Sequence, residues 1–115
     1  MQILHIATAA DWEDAVVAGV YRVSTRGVTI DDEGFIHAST AQQVQATASR
    51  FYADAEGPLV VLVLDSARLE AGGVPVLLED AGSGELFPHL YAELPVALVD
   101  DVRPAAFDDS GSLRF

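Results

Sequence analysis

The chain has 115 residues, half of them apolar, with six arginines, no lysine, eighteen acids, three histidines, no cysteine and a formal charge of −12. That length holds one core, so residues 1–115 are read as a single domain; the apolar half excludes a disordered acidic tail, and the missing cysteines exclude disulfides, thiolate metal sites and a cysteine nucleophile. Six scattered arginines leave no basic groove, so neither a nucleic acid nor an anionic membrane is expected as a partner.

Met1–Trp12 lacks the basic start of a signal peptide, and the longest aliphatic run, Leu59–Leu64, is too short to span a bilayer. A soluble cytoplasmic protein is therefore expected. Gln2–Ala7 predicts a short strand. Thr8 with Asp11 three residues on is a capping pair for a helix through Trp12, Ala15 and Val16, which Gly19 stops. Tyr21–Ser24 reads as a short extended piece. Thr25–Glu33, polar and ending in Asp31–Asp32–Glu33, reads as an exposed loop. Gly34–Ala38 predicts a second strand. Ser39 or Thr40 then caps a second helix, with Gln42 and Gln43 as box partners and Val44, Ala48 and Phe51 as its buried face.

Leu59–Leu64 shows no polar alternation, the pattern of a strand buried on both faces. Asp65–Leu69 is a turn or one helical turn, Val74–Glu79 another strand, and Gly82–Ser83–Gly84 a chain reversal. Pro88 is expected to keep Phe87–Tyr91 out of a central ladder position. Val96–Val102 and Leu113–Phe115 close the domain as strands. Helices early and strands late predict an α+β domain with a mixed or antiparallel sheet.

Each histidine has apolar neighbours: His5 lies between Leu4 and Ile6, His37 between Ile36 and Ala38, and His89 between Pro88 and Leu90. Such residues are either separate hydrogen-bonded histidines at the core edge or members of one pocket, where imidazole binds a polar ligand or moves protons. A three-histidine metal site is a further alternative, though the intervals carry no ligand spacing. Ser39 faces the same way as His37 on a continuing strand, or it caps the next helix. Glu79 is either half-buried with a raised pKa or solvated at a sheet edge. The run Asp31–Glu33 lacks the alternate oxygens of a calcium loop, and the glycines form no nucleotide-binding loop.

Taken together, His5 with Trp12, Gly19 and Tyr21, then Gly34–Phe35–Ile36–His37, Ser39, Gln42, Arg50–Phe51–Tyr52, Glu79, and Phe87–Pro88–His89 with Tyr91 resemble a small bacterial family catalogued as domain of unknown function 952. The resemblance covers nearly the whole chain. It implies an ADP-ribosyltransferase-like fold, a small split sheet with two helices in the N-terminal half. In the NAD-dependent RNA 2′-phosphotransferases of that fold a histidine closes the first strand, and a helix, a glycine and a strand with His-x-Ser follow. Leu4–His5–Ile6–Ala7–Thr8, the helix to Gly19 and His37–Ala38–Ser39 run in that order here.

What the resemblance implies is a pocket for NAD or a related nucleotide and a glycosyl- or ADP-ribosyl-type transfer. His37, Glu79 and His89 would be its catalytic residues, His5, Ser39 and Tyr91 its ligand-binding residues, and either backbone N–H groups or one of Arg26 and Arg50 its pyrophosphate contact. Ile6 stands where the transferases carry a glycine, and the charge of −12 opposes an RNA substrate. The alternative is a non-catalytic module that binds a small molecule or a protein in the same cleft.

Overall fold

The computed structural model describes residues 1–80 and 82–115. Its first unit follows the local signals. β1 (Gln2–Thr8) runs into α1 (Ala9–Ala18), where the Thr8 hydroxyl accepts from the Asp11 N–H at 3.1 Å and Gly19 ends the helix at φ 85°. Side chains with a Cβ rarely adopt that φ, so the stop belongs to glycine. Ala15 is fully buried and Trp12 packs against the core, but Val16 is exposed.

The expected loop at Thr25–Glu33 is folded. β2 (Val20–Tyr21) is followed by β3 (Val23–Thr25), which pairs with β4 (Val28–Thr29), and Ile30–Glu33 forms one helical turn, α2. The acids build that turn. The Thr29 N–H and hydroxyl both donate to Asp32, each at 3.1 Å, and Asp31 pairs with Arg22 at 2.7 Å. Free N–H groups at a helix start favour carboxylates, which is why an acidic run folds here rather than staying solvated.

β5 is short (Ile36–His37), and α3 (Val44–Phe51) starts later than expected. The Gln43 side chain accepts from the Thr40 N–H at 3.1 Å, as a box partner should. Ser39 does not cap: its backbone pairs with Leu4 and its hydroxyl meets Thr47 at 2.9 Å. Val44, Thr47, Ala48 and Tyr52 are buried, whereas Phe51 is 38% exposed.

The rest of the chain is β6 (Leu59–Asp65), α4 (Ser66–Ala71), β7 (Val76–Asp80), β8 (Leu86–Leu90), β9 (Leu94–Pro95), β10 (Asp101–Phe107) and β11 (Leu113–Arg114). Val96–Leu98, expected to open a strand, is a 3-10 turn, and the strand begins only at Asp101. The larger sheet has the order β1-β6-β10-β11. On one side of β6, Leu59, Val61 and Val63 pack with Val44, Ala48 and Tyr52; on the other, Leu62 and Leu64 pack with Ala15, Tyr21 and Leu69. An uninterrupted aliphatic run is what two buried faces require.

The smaller sheet has the order β5-β8-β7, so Pro88 lies inside a central strand, against expectation. The length of β5 explains it. The Pro88 carbonyl accepts from the Ala38 N–H at 2.9 Å, so the proline nitrogen faces the same side, toward Ala38, the residue just past the end of β5. The missing N–H therefore removes no bond to β7. The two sheets meet where the Leu4 and Ser39 backbones exchange bonds of 2.7 and 2.8 Å. The domain is α+β, and every described strand pairing is antiparallel rather than mixed. Its two longer helices, α1 and α3, both lie in the N-terminal half. No described helix is long and apolar enough to cross a membrane.

Candidate functional site

Alternation along the smaller sheet builds the site. In Phe35–Ile36–His37 and in Phe87–Pro88–His89–Leu90–Tyr91, every second side chain belongs to one face. The register sets His37 against His89 and Glu79 against Phe87, while Ile36 and Leu90 on the opposite face join the core. The first face and α3 bound a cleft of about 580 Å³. His37, Phe87 and His89 line it from the sheet and Phe35 from just before β5, Thr47, Arg50 and Phe51 from α3, Glu33 from the end of α2 and Glu85 from the segment before β8.

His89 is buried and stacks on Phe35, with ring centroids 3.8 Å apart and planes 10° from parallel. Its Nδ1 lies 3.0 Å from Oε1 of Glu79, its diagonal neighbour on β7, and the Tyr91 hydroxyl donates to the same oxygen. The Tyr91 bond first, and the His89 bond second, hold the Glu79 carboxyl below its usual range, so the raised-pKa alternative is corrected. The same contact pushes Tyr91 upward. A carboxylate only accepts, so Nδ1 of His89 carries a proton, and in the tautomer this fixes the lone pair sits at Nε2.

That Nε2 is buried with no hydrogen-bond partner among the described residues, and so is Nε2 of His37. The two ring centroids are 5.6 Å apart. Desolvation, and then the neighbouring His89, lower His37 to about 4, which leaves it neutral at pH 7. A buried polar atom without a partner costs about 1–3 kcal/mol, and two of them stand beside this cleft.

His5 stands behind this face. It is 2% exposed; its Nδ1 donates to the His37 carbonyl at 2.6 Å, and its Nε2 accepts from the Tyr21 hydroxyl at 2.8 Å. Desolvation lowers it to about 4, against the opposing pull of the His37 carbonyl bond. With both nitrogens engaged, His5 ties β1 to β5 and is not among the residues lining the cleft. Ser39, also buried, shares its hydroxyl with Thr47.

The structure thus sets His37 and His89 on the cleft wall, places Glu79 and Tyr91 behind His89 and outside the residues lining the cleft, and sets His5 and Ser39 in the layer beneath. The three histidines do not converge, and no group of three metal-ligating side chains is placed to hold an ion among the described residues. Arg26 is engaged by Asp54 at 2.5 Å and by the Phe51 carbonyl at 2.9 Å, whereas Arg50 lines the cleft. Sequence reasoning missed Phe35, Phe51 and Phe87 as cleft walls, together with Thr47, Glu33 and Glu85. Two of these carry a local signal: Phe35 and Phe87 each stand two residues before a cleft histidine.

These features define an antiparallel α+β domain that carries a cleft of histidine and phenylalanine on its smaller sheet. The chain belongs to the family described as Protein of unknown function (DUF952), which residues 6–102 match. It is similar to protein CC0527 from Caulobacter crescentus, whose crystal structure superposes with a TM-score of 0.82 at 29% identity, covering 99% of this chain and 94% of that one. The solution NMR structure of CC0527 gives a TM-score of 0.77 at 29% identity, covering 96% and 90%. No curated protein matches.

Proposed function

We propose that the cleft binds a small molecule with a flat ring, of the nucleotide type, and that His89 accepts a proton from a reacting hydroxyl or water. That is the chemistry of a glycosyl- or ADP-ribosyl-type transfer, or of hydrolysis. The observation that carries the reading is the Tyr91–Glu79–His89 chain, which ends in a buried Nε2 without a partner among the described residues. Anionic Glu79 favours the imidazolium as it forms, Tyr91 holds the carboxylate, and neutral His37 adds no opposing charge. Phe35, Phe51 and Phe87 offer ring faces for stacking.

NAD as the ligand comes from the ADP-ribosyltransferase-like resemblance. Ribose contacts in this cleft would fall to His37 and His89, because His5 has both nitrogens engaged. The shielding of both Nε2 atoms from solvent favours a second reading, a module that binds the same ligand without turnover.

NMR titration with NAD⁺, ADP-ribose and nicotinamide tests the ligand class. Joint shifts of His37 and His89 with one saturating affinity are expected, and silence at millimolar concentration from all three rejects the nucleotide reading. Glu79→Gln tests the base. It is expected to lower turnover about 10²–10⁴-fold with affinity nearly unchanged. Unaltered turnover removes His89 from that role, and binding without turnover in the unsubstituted protein selects the module.

A further inference from the structure

Opposite charges share this cleft without meeting. Arg22, Arg26, Arg68, Arg103 and Arg114 are each ion-paired. Arg50, at the end of α3, has no ion pair among the described residues, although the chain carries eighteen acids. Glu33 and Glu85 line the same cleft and also lack an arginine partner among the described residues; Glu85 accepts instead from the Gln43 amide at 3.2 Å. The Arg50 guanidinium lies 5.2 Å from the Phe51 ring centroid, which orients it by cation–π attraction.

We infer that the cleft selects an organic zwitterion, a flat ring bearing one anionic group for Arg50 and one cationic group for Glu33 and Glu85. The inference rests on the reading of the cleft as a small-molecule site and narrows its ligand class. An anion alone would pair with Arg50 but face two carboxylates. A cation alone would satisfy the carboxylates but meet the guanidinium. A ligand with both charges completes both sides and turns each mismatch into discrimination against its singly charged analogues. Phe35 and Phe87 then receive the ring, and neutral His37 favours neither sign.

Three probes with one indole ring separate these cases: tryptophan carries both charges, indole-3-propionate the anion, and tryptamine the cation. Each is titrated into the full chain at pH 7, with the amides of Phe35 and Phe87 followed by NMR. Tryptophan is expected to bind about fivefold more tightly than either analogue, the ratio for one partly solvated charge contact. Arg50→Gln is expected to weaken tryptophan and indole-3-propionate by about the same factor but not tryptamine, which loses a repulsive neighbour, and Glu85→Gln to weaken tryptophan and tryptamine but not indole-3-propionate. Equal affinities, indifference of tryptophan to both substitutions, or no shift from any of the three at millimolar concentration overturns the inference. If nicotinamide or ADP-ribose still moves the cleft amides, only the zwitterion rule has failed. Silence from every probe removes the small-molecule reading as well.

Discussion

His5 holds the core together as an uncharged ring, and that makes it an acid-sensitive joint. Its pKa falls from 6.5 to about 4 on folding because burial penalises the imidazolium. A depressed histidine pKa means that the unfolded chain binds the proton first. The contribution is therefore complete above pH 6.5 and is lost as pH falls through the window down to 4. Between pH 7 and pH 5 that linkage removes about 2 kcal/mol, and His37, lowered to about 4 as well, adds in the same direction. Urea unfolding is expected to show a clear drop in midpoint across that interval. His5→Leu leaves the Tyr21 hydroxyl and the His37 carbonyl without their partner, so it should be less stable at pH 7 by about 2–4 kcal/mol. Its stability should nevertheless depend less on pH. A variant that keeps the full pH slope would show that the titration lies elsewhere.

Between α2 and β5, Gly34 sets the direction in which the cleft wall begins. It ends α2 at φ 93° and hands the chain directly to Phe35, which stacks on His89. No atom lies within 4 Å of a Cβ built there, so the cost of Gly34→Ala is backbone strain rather than collision. The expected loss is about 1 kcal/mol, with altered His89 ring shifts as the stack is re-aimed. Gly57→Ala, at ordinary φ in equally open space, is the control and should be neutral or slightly stabilising. The contrast between these segments also shows what local pattern carries. β6 was legible because burial on both faces leaves an unbroken aliphatic run, and His37 and His89 stood out by their apolar neighbours, whereas Phe35 and Phe87, two residues before them, read as ordinary core residues. α2 was not, because Asp32 reads as a solvated acid until its bonds to Thr29 are known. Pro88 misled because its tolerance depends on where another strand ends. Phe51 misled because it sits on the margin of the α3 stripe, where local spacing cannot tell a core from a cleft. His5 was legible as a hydrogen-bonded histidine near the core edge, but its partner Tyr21 is set only by packing; Ser39, read as a helix cap or a ligand contact, is buried on Thr47, a pairing that no local pattern carries.

Across the whole molecule the four-stranded and three-stranded sheets are joined by the Leu4–Ser39 pair and by the His5 bond to the His37 carbonyl, beneath a surface with a charge of −12. Screening acts on this surface in two opposed ways. Salt weakens the exposed ion pairs, such as Arg22–Asp31 and Arg103–Asp101, but each contributes only about 0–1 kcal/mol. It also relieves repulsion among the uncompensated acids, which acts over every pair within a screening length of about 10 Å at 0.1 M and about 3 Å at 1 M. With eighteen acids against six arginines, repulsive pairs outnumber attractive ones, so relief of repulsion should dominate. Thermal unfolding at pH 7 is expected to shift upward by a few degrees as sodium chloride rises from about 0.01 to 1 M, about 4–8 °C for each kcal/mol regained in a domain near this size. A melting temperature that falls over the same range would mean that the ion pairs of the five paired arginines contribute more than the excess acids cost. The pH experiment separates this effect from the histidine joint. Carboxylates stay largely ionised above pH 5, so mild acidification relieves little repulsion while it protonates His5 in the unfolded chain. Stability should therefore rise with salt at either pH and still fall on acidification at a fixed salt concentration.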